Sequence, residues 1–250
     1  MSGDRASLCA MDPRVSLPLR SVAAHAHSPP ELPAWLASIP AVRDLLGGFE
    51  FEATTVLVGE NGSGKSTIIE AIATALELPH GGGTAWEVRD HAEEAPELGD
   101  HLQIVKGATT NRSGFFLRAE TMHESMVHLL EIGAERGHRL VHKSHGEMFV
   151  DMLTGVFTDF GLWILDEPES ALSFTASLTL LQLIRERERA GLQTVMATHS
   201  PVLASAEGAR VVELGEWGIR DSTWDDLEMV AHWRRFLDDP RRYTRYFDEG

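Results

Sequence analysis

The chain has 250 residues, 38 acidic against 22 basic side chains for a formal charge of −16 with histidines neutral, 43% hydrophobic residues and one cysteine, Cys9. This balance fits one large globular domain of soluble type, excludes an internal disulfide and a four-cysteine zinc site, and weighs against a surface that grips nucleic-acid phosphates all over, leaving room for a local basic patch. No run approaches the roughly eighteen apolar residues of a membrane helix, and residues 1–20 hold no continuous apolar segment of signal-peptide type, so a cytoplasmic location is expected.

Residues 1–30 mix small, polar and proline residues without periodicity and read as a loose N-terminal arm or an irregular first strand. The rest, 31–250, reads as a single domain with a core of 31–80 and 161–250 and a lid of 81–160. From Leu32 to Leu46 apolar residues recur at short intervals between Pro33 and Pro40, which predicts two short helical pieces. Thr54 to Val58 is β-branched and apolar and ends at Gly59, a buried strand. Ser66 to Leu78 places Ile68, Ile69, Ile72, Ala75 and Leu76 on one helical face, stopped by Pro79. Within the polar stretch 79–113, residues 102–105 read as a strand, as do 115–117. Residues 121–143 read as a helix with Met122, Met126, Leu129 and Leu130 inward. Leu162 to Leu165 is a short apolar strand ending at Asp166, Ala176 to Ala190 a helix, Gln193 to Thr198 and Arg210 to Leu214 two more strands. The tail from Trp224 to Phe247 reads as helix broken at Pro240. Strands alternating with helices imply an α/β fold, a mostly parallel sheet flanked by helices on both faces.

Gly59-Glu60-Asn61-Gly62-Ser63-Gly64-Lys65-Ser66, followed by Thr67, fits the phosphate-loop pattern G-x-x-x-x-G-K-[ST]. Glycines let successive backbone N–H groups turn inward around phosphate oxygens, and the following helix points its positive end at the same anion. Lys65 can reach the β- and γ-phosphates and the Ser66 hydroxyl can bind Mg²⁺. A strand before the loop and an amphipathic helix after it supply the context that chance matches lack.

The strand 162–165 delivers Asp166 and Glu167 to its C-terminal edge, where open α/β sheets bind ligands. Asp166 there would hold Mg²⁺, directly or through water, and Glu167 would polarise the water that attacks the γ-phosphate. His199, at the end of the next strand, can meet both the γ-phosphate and that carboxylate. Ser144 with the Gly146 backbone, at a helix start, makes a second anion-binding device. One nucleotide does not need two such devices from one chain, but two chains arranged head to tail would use both.

With GENGSGKST (59–67), GFFLRAE (114–120), KSHGE (143–147), LWILDEPESAL (162–172) and ATHSPVL (197–203), the sequence resembles the ABC-type ATPases. It is similar above all to stand-alone soluble members labelled AAA-family or predicted ATPases, relatives of SMC- and RecF-type repair ATPases, over residues 40–247. The resemblance implies a P-loop NTPase fold with an inserted helical lid carrying the signature motif. It implies ATP and Mg²⁺ as cofactors, with Lys65, Ser66 and Asp166 as phosphate and magnesium residues. Glu167 becomes the catalytic base, His199 the switch histidine, and Ser144, Gly146 and Glu147 a signature acting in trans on the nucleotide of a partner subunit. Ser170-Ala171-Leu172 matches the segment that meets its twin in an ATP-dependent homodimer. Two departures stand out: SHGE replaces the SGGQ of transporter subunits, and no glutamine follows Phe115-Phe116-Leu117, which leaves Glu120 as the candidate for that magnesium-coordinating role.

The first expectation is therefore Mg²⁺-dependent ATP binding and hydrolysis that drives sandwich dimerisation and opening. The alternatives are a nucleotide-switched module of negligible turnover that gates a partner protein, and the ATP-binding subunit of a transporter. An effector protein or DNA is left open as partner. His123, His128, His138, His142 and His145 read as solvated lid histidines rather than a zinc site, since no cysteine is near. The tail interleaves Arg234, Arg235, Arg241, Arg242 and Arg245 with Trp233, Phe236, Tyr243, Tyr246 and Phe247. That pattern suits nucleic-acid contact and suits a helix packed on the core; the acidity of the chain favours the second.

Overall fold

The computed structural model describes residues 13–25, 31–78, 83–84, 97–118, 145–155 and 157–245. A 3-10 turn (Pro13–Ser16) precedes β1 (Ser21–Ala24), and the two helical pieces form as α1 (Ala34–Ser38) and α2 (Pro40–Gly47). Pro40 opens α2 because its fixed φ is already helical and its missing N–H is not needed there. Then come β2 (Phe49–Glu50), β3 (Thr54–Gly59) and α3 (Lys65–Ala75). Helix α3 stops before Pro79 because Glu77 turns left-handed at φ +62°, and the Leu78 N–H folds back to Ala73 O at 2.8 Å.

Next are β4 (Gly83–Thr84), β5 (Leu102–Val105), β6 (Gly114–Arg118), α4 (His145–Gly155) and β7 (Leu162–Asp166). Then follow α5 (Phe174–Arg189), β8 (Gln193–Thr198), β9 (Arg210–Gly215), β10 (Gly218–Ser222), α6 (Glu228–Asp238) and α7 (Arg241–Thr244). Helix α5 begins at Phe174, two residues earlier than its apolar pattern, because the Ser173 hydroxyl caps it by accepting from Ala176 N–H. The helix expected over 121–143 and its histidines 123–142 lie outside the described residues.

Among the described residues the main sheet has seven strands in the order β10–β9–β3–β8–β7–β6–β4. The inner five run parallel, and short antiparallel strands close both edges. Period-2 alternation sorts side chains between two cores. Leu57, Phe116, Leu162, Ile164 and Val212 face α2 and α3 with Ile68, Ile69 and Ile72. Val56, Val58, Phe115, Trp163, Leu165 and Met196 face α4 and α5 with Phe149, Met152, Leu153, Leu180 and Ile184. Each strand therefore reads as continuously apolar, as a sheet covered on both sides requires.

One open reading closes and one expectation changes. Residues 13–25 hold the first strand and not a loose arm: Leu17, Leu19 and Val22 are buried, and β1 pairs antiparallel with β2 and β5 in a second sheet. Wholly buried Gln193 ties that sheet to the body. Its Nε2 donates to Leu19 O at 2.7 Å and Glu52 O at 3.1 Å, while its Oε1 accepts from Leu19 N–H at 2.9 Å. Nor is the span 81–160 all lid. β6 lies in the main sheet between β7 and β4, β5 in the smaller sheet, and Phe115 stacks on Phe157 with ring centroids 3.8 Å apart. Phe115, Phe116 and Leu117 are each 1% exposed, so their burial belongs to the body.

Candidate nucleotide site

With β8 seated between β3 and β7, the C-terminal ends of these three strands lie side by side. The register sets Val58 against Thr198 and Asp166 against Ala197, so the phosphate loop, the carboxylates and His199 open onto one edge. Three separate sequence segments converge there because the topology, not their spacing, makes them neighbours.

The loop leaves β3 at Gly59 and enters α3 at Gly64, which is left-handed at φ +96°. A Cβ at Gly59 would meet Leu214 O at 2.5 Å, and one at Gly64 would meet the Ile39 side chain at 2.8 Å, so neither position accepts a side chain without movement. Glu60, Asn61 and Gly62 form the exposed tip, Ser63 N–H returns to Glu60 O at 3.2 Å, and Thr67 lies in the first turn of α3. Lys65 is 3% exposed, and its ammonium donates to its own loop, to Gly59 O at 2.9 Å and Glu60 O at 3.1 Å. Burial pushes the Lys65 pKa down, while Glu167, Asp166 and Glu169 push it back.

Ser66, one residue on, donates its hydroxyl to Asp166 Oδ1 at 3.2 Å. Asp166 is 2% exposed, and burial raises its pKa against the opposing pull of Arg118 and Ser66. Glu167 stands at the strand end in the left-handed region at φ +47°, ψ +50°, which costs a non-glycine residue of order 1–3 kcal/mol. That turn lets two successive carboxylates address one edge although strand residues alternate. The Glu167 N–H is held by Ala197 O at 3.0 Å, and Pro168 opens the following 3-10 turn through Ala171, which carries Ser170. His199 Nε2 lies 2.9 Å from Glu167 Oε1, within ion-pair reach but off the line of an N–H hydrogen bond.

Two participants were missed in the sequence. Glu169 accepts the backbone N–H of His199, which fixes the histidine's approach to Glu167. Arg118, at the end of β6, reaches Asp166 Oδ2 from Nε and Nη2, each at 3.1 Å, and pairs with Glu70 of α3. A charged residue directly after the buried run Phe115-Phe116-Leu117 is the signal that could have found it. Glu120 and Ser144 lie outside the described residues, and Gly146 and Glu147 start α4.

The donor set suits a magnesium ion held beside a nucleotide. Ser66 Oγ and Asp166 Oδ1 are hard oxygens within contact of each other, and Mg²⁺ takes one or two protein oxygens and completes its shell with phosphates and water. Among the described residues no cluster of three metal-ligating side chains forms an all-protein cage. Among the described residues the buried Ser63 Oγ and Glu169 Oε2 have no hydrogen-bond partner, leaving polar capacity at this edge.

Fold and site together define a P-loop ATPase. A family model described as an AAA domain matches residues 47–79. The chain is similar to an ABC transporter ATP-binding protein of Haemophilus influenzae, 27% identical over 183 residues, covering 64% of this chain and 69% of the relative. It is also similar to the ABC-type transporter ATP-binding protein EcsA of Bacillus subtilis, 28% identical over 237 residues and covering 76% and 95% of the two chains. Among solved structures, the dimeric bacterial ABC transporter cassette MJ0796 aligns at 20% identity and a TM-score of 0.42, covering 71% and 88%. No helix among the described residues is long and apolar enough to cross a membrane.

Proposed function

We propose that the chain is a Mg²⁺-dependent ATPase that works by ATP-driven dimerisation. The observation that carries this reading is the convergence of Lys65, Ser66, Asp166, Glu167 and His199 at one strand edge, where Ser66 lies 3.2 Å from Asp166, His199 lies 2.9 Å from Glu167, and the Lys65 ammonium feels the charge of both carboxylates. On ATP binding, Lys65 exchanges its two loop carbonyls for β- and γ-phosphate oxygens, and the loop N–H groups take the remaining phosphate charge. Ser66 and Asp166, with Glu120 as a further candidate, would hold Mg²⁺, which neutralises charge on the phosphates during transfer. Glu167 accepts a proton from the attacking water and orients it, and His199, fixed by Glu169, steadies Glu167. Catalysis is then positioning and charge neutralisation, with no covalent intermediate on the protein.

In this reading the partner's Ser144, Gly146 and Glu147 close each nucleotide in trans, and the segment Ser170–Leu172 meets its twin. Hydrolysis removes the γ-phosphate between the two chains and the dimer opens. The location is cytosolic, in keeping with the single cysteine. The transporter-subunit reading is favoured by one observation, the transporter-associated names of the relatives. It is tested by co-purification with an integral-membrane partner.

Glu167→Gln decides the mechanism. The variant is expected to bind ATP with turnover reduced about 10²-fold or more, and to shift from monomer to dimer by light scattering only with Mg·ATP. Wild-type turnover in the variant would remove Glu167 as the base. Bound ATP without a shift in mass would remove the trans signature and favour a nucleotide-switched module.

A further inference from the structure

The carboxylate of Asp166 is divided between two kinds of donor. Its Oδ1 takes the Ser66 hydroxyl at 3.2 Å, on the side of the phosphate loop, and its Oδ2 takes the Arg118 guanidinium twice, at 3.1 Å. The same guanidinium pairs with Glu70, one helical turn beyond Ser66 on α3. Backbone register enforces the arrangement, because β6 and β7 are parallel neighbours with Arg118 directly opposite Asp166. The Arg118 side chain is 24% exposed and the Asp166 side chain 3%, so water screens the pair only in part.

An arginine has five donors and no acceptor, so Arg118 cannot ligate a metal. An uncharged glutamine, with an amide oxygen to offer, is what the sequence resemblance leads one to expect after Leu117. This chain has placed a fixed cation against the carboxylate that the ATPase reading assigns to Mg²⁺. Two cations then share one acidic residue, and each lowers the other's hold on it.

We propose that Arg118 is a positioning residue that clamps Asp166 to Glu70 and competes electrostatically with Mg²⁺, raising the metal concentration the nucleotide site requires. The proposal rests on the Mg·ATP reading above. In the absence of metal, Arg118 neutralises Asp166 and holds Oδ1 turned toward Ser66. When the ion arrives, Oδ1 serves it while Arg118 retains Oδ2, so the carboxylate arrives pre-oriented but with part of its charge already compensated. A merely structural ion pair would stabilise the fold and leave metal affinity untouched.

The test is equilibrium binding of a fluorescent ATP analogue to the full-length chain at fixed nucleotide, with Mg²⁺ raised from an EDTA-treated start. Arg118→Gln is expected to lower the half-saturating Mg²⁺ concentration about tenfold, since one unit charge a few ångströms from the ion is removed at a partly solvated site. Arg118→Lys keeps the charge and is expected to stay at the wild-type midpoint. Thermal melts in EDTA without nucleotide establish that each variant is folded. An unchanged or raised midpoint in a folded Arg118→Gln that binds ATP overturns the proposal alone, as does a Lys variant that behaves like Gln. Failure of the wild type to bind ATP at any Mg²⁺ concentration overturns the nucleotide reading, and the proposal with it.

Discussion

Replacing Lys65 with Met separates what the phosphate loop does for binding from what it does for folding. Without nucleotide, Lys65 is a buried ammonium with two carbonyl partners, Gly59 O at 2.9 Å and Glu60 O at 3.1 Å. Two charge-assisted bonds contribute about 1.5–3 kcal/mol each, and the desolvation that pushes the lysine pKa down works against them. Met has similar length, fills the same space and needs no partner, so the nucleotide-free stability is expected to change by no more than about 1 kcal/mol. Binding is different, because the ammonium is the only side-chain cation of the loop and the β- and γ-phosphates would sit against it. Removing it should cost about 3 kcal/mol, or roughly a hundredfold in affinity. If wild-type protein is assayed at about 100 times its Kd for Mg·ATP, ligand stabilises it by about 2.7 kcal/mol. The variant at the same concentration gains about 0.4 kcal/mol. For a domain of this size those values correspond to melting shifts of about 5–10 °C and about 1 °C. Thermal melts of both proteins with and without Mg·ATP are the assay. An equal nucleotide-induced shift in the two would refute the placement of the phosphates at Lys65. A nucleotide-free loss above about 3 kcal/mol would refute the claim that its buried charge is nearly balanced.

Two further predictions concern the body of the protein. Arg187 is 5% exposed, donates to Thr158 O, Phe160 O and Gln193 O at 2.9–3.0 Å and lies over Trp163 at 3.7 Å. Arg187→Met leaves three carbonyls short of a donor and should cost about 3 kcal/mol in urea unfolding, part of the loss being offset by relief of the burial that pushes the Arg187 pKa down to about 9. A cost below about 1 kcal/mol would show those bonds to be unimportant. Asp221 is held below the usual carboxylate range by its hydrogen bonds from Arg210, Nε to Oδ1 at 2.6 Å and Nη2 to Oδ2 at 3.1 Å. A depressed carboxylate stabilises the fold above its unfolded pKa and loses that contribution as pH falls through the folded one. Its side chain is 68% exposed, so Asp221→Asn should cost only a few tenths of a kcal/mol at pH 7. The gap should close in acid and in high salt; a gap that persists below pH 3 would refute the pairing as its source.

The phosphate loop, the strand before it, the helix after it and the carboxylate pair were legible in the residues alone. Each is a local device: glycines at fixed offsets, a β-branched run, an i, i+3, i+4 apolar face, and an apolar run that ends in acid. The parallel order of β3, β7 and β8 follows from their alternation with helices. What could not be read there depends on partners distant in sequence. Gln193 orders Leu19 from 174 positions away, so the residues alone left open whether this segment is a loose arm or a first strand. β6 looked like part of a lid because nothing in Phe115-Phe116-Leu117 says which strand it will pair with. Glu167 needed the left-handed turn at φ +47° before both carboxylates could reach one edge. The placement of Glu169 against His199, and of Arg118 against Asp166, was decided only when three strand ends were brought side by side. Local chemistry wrote the nucleotide loop into the chain; long-range packing alone chose the charges that surround it.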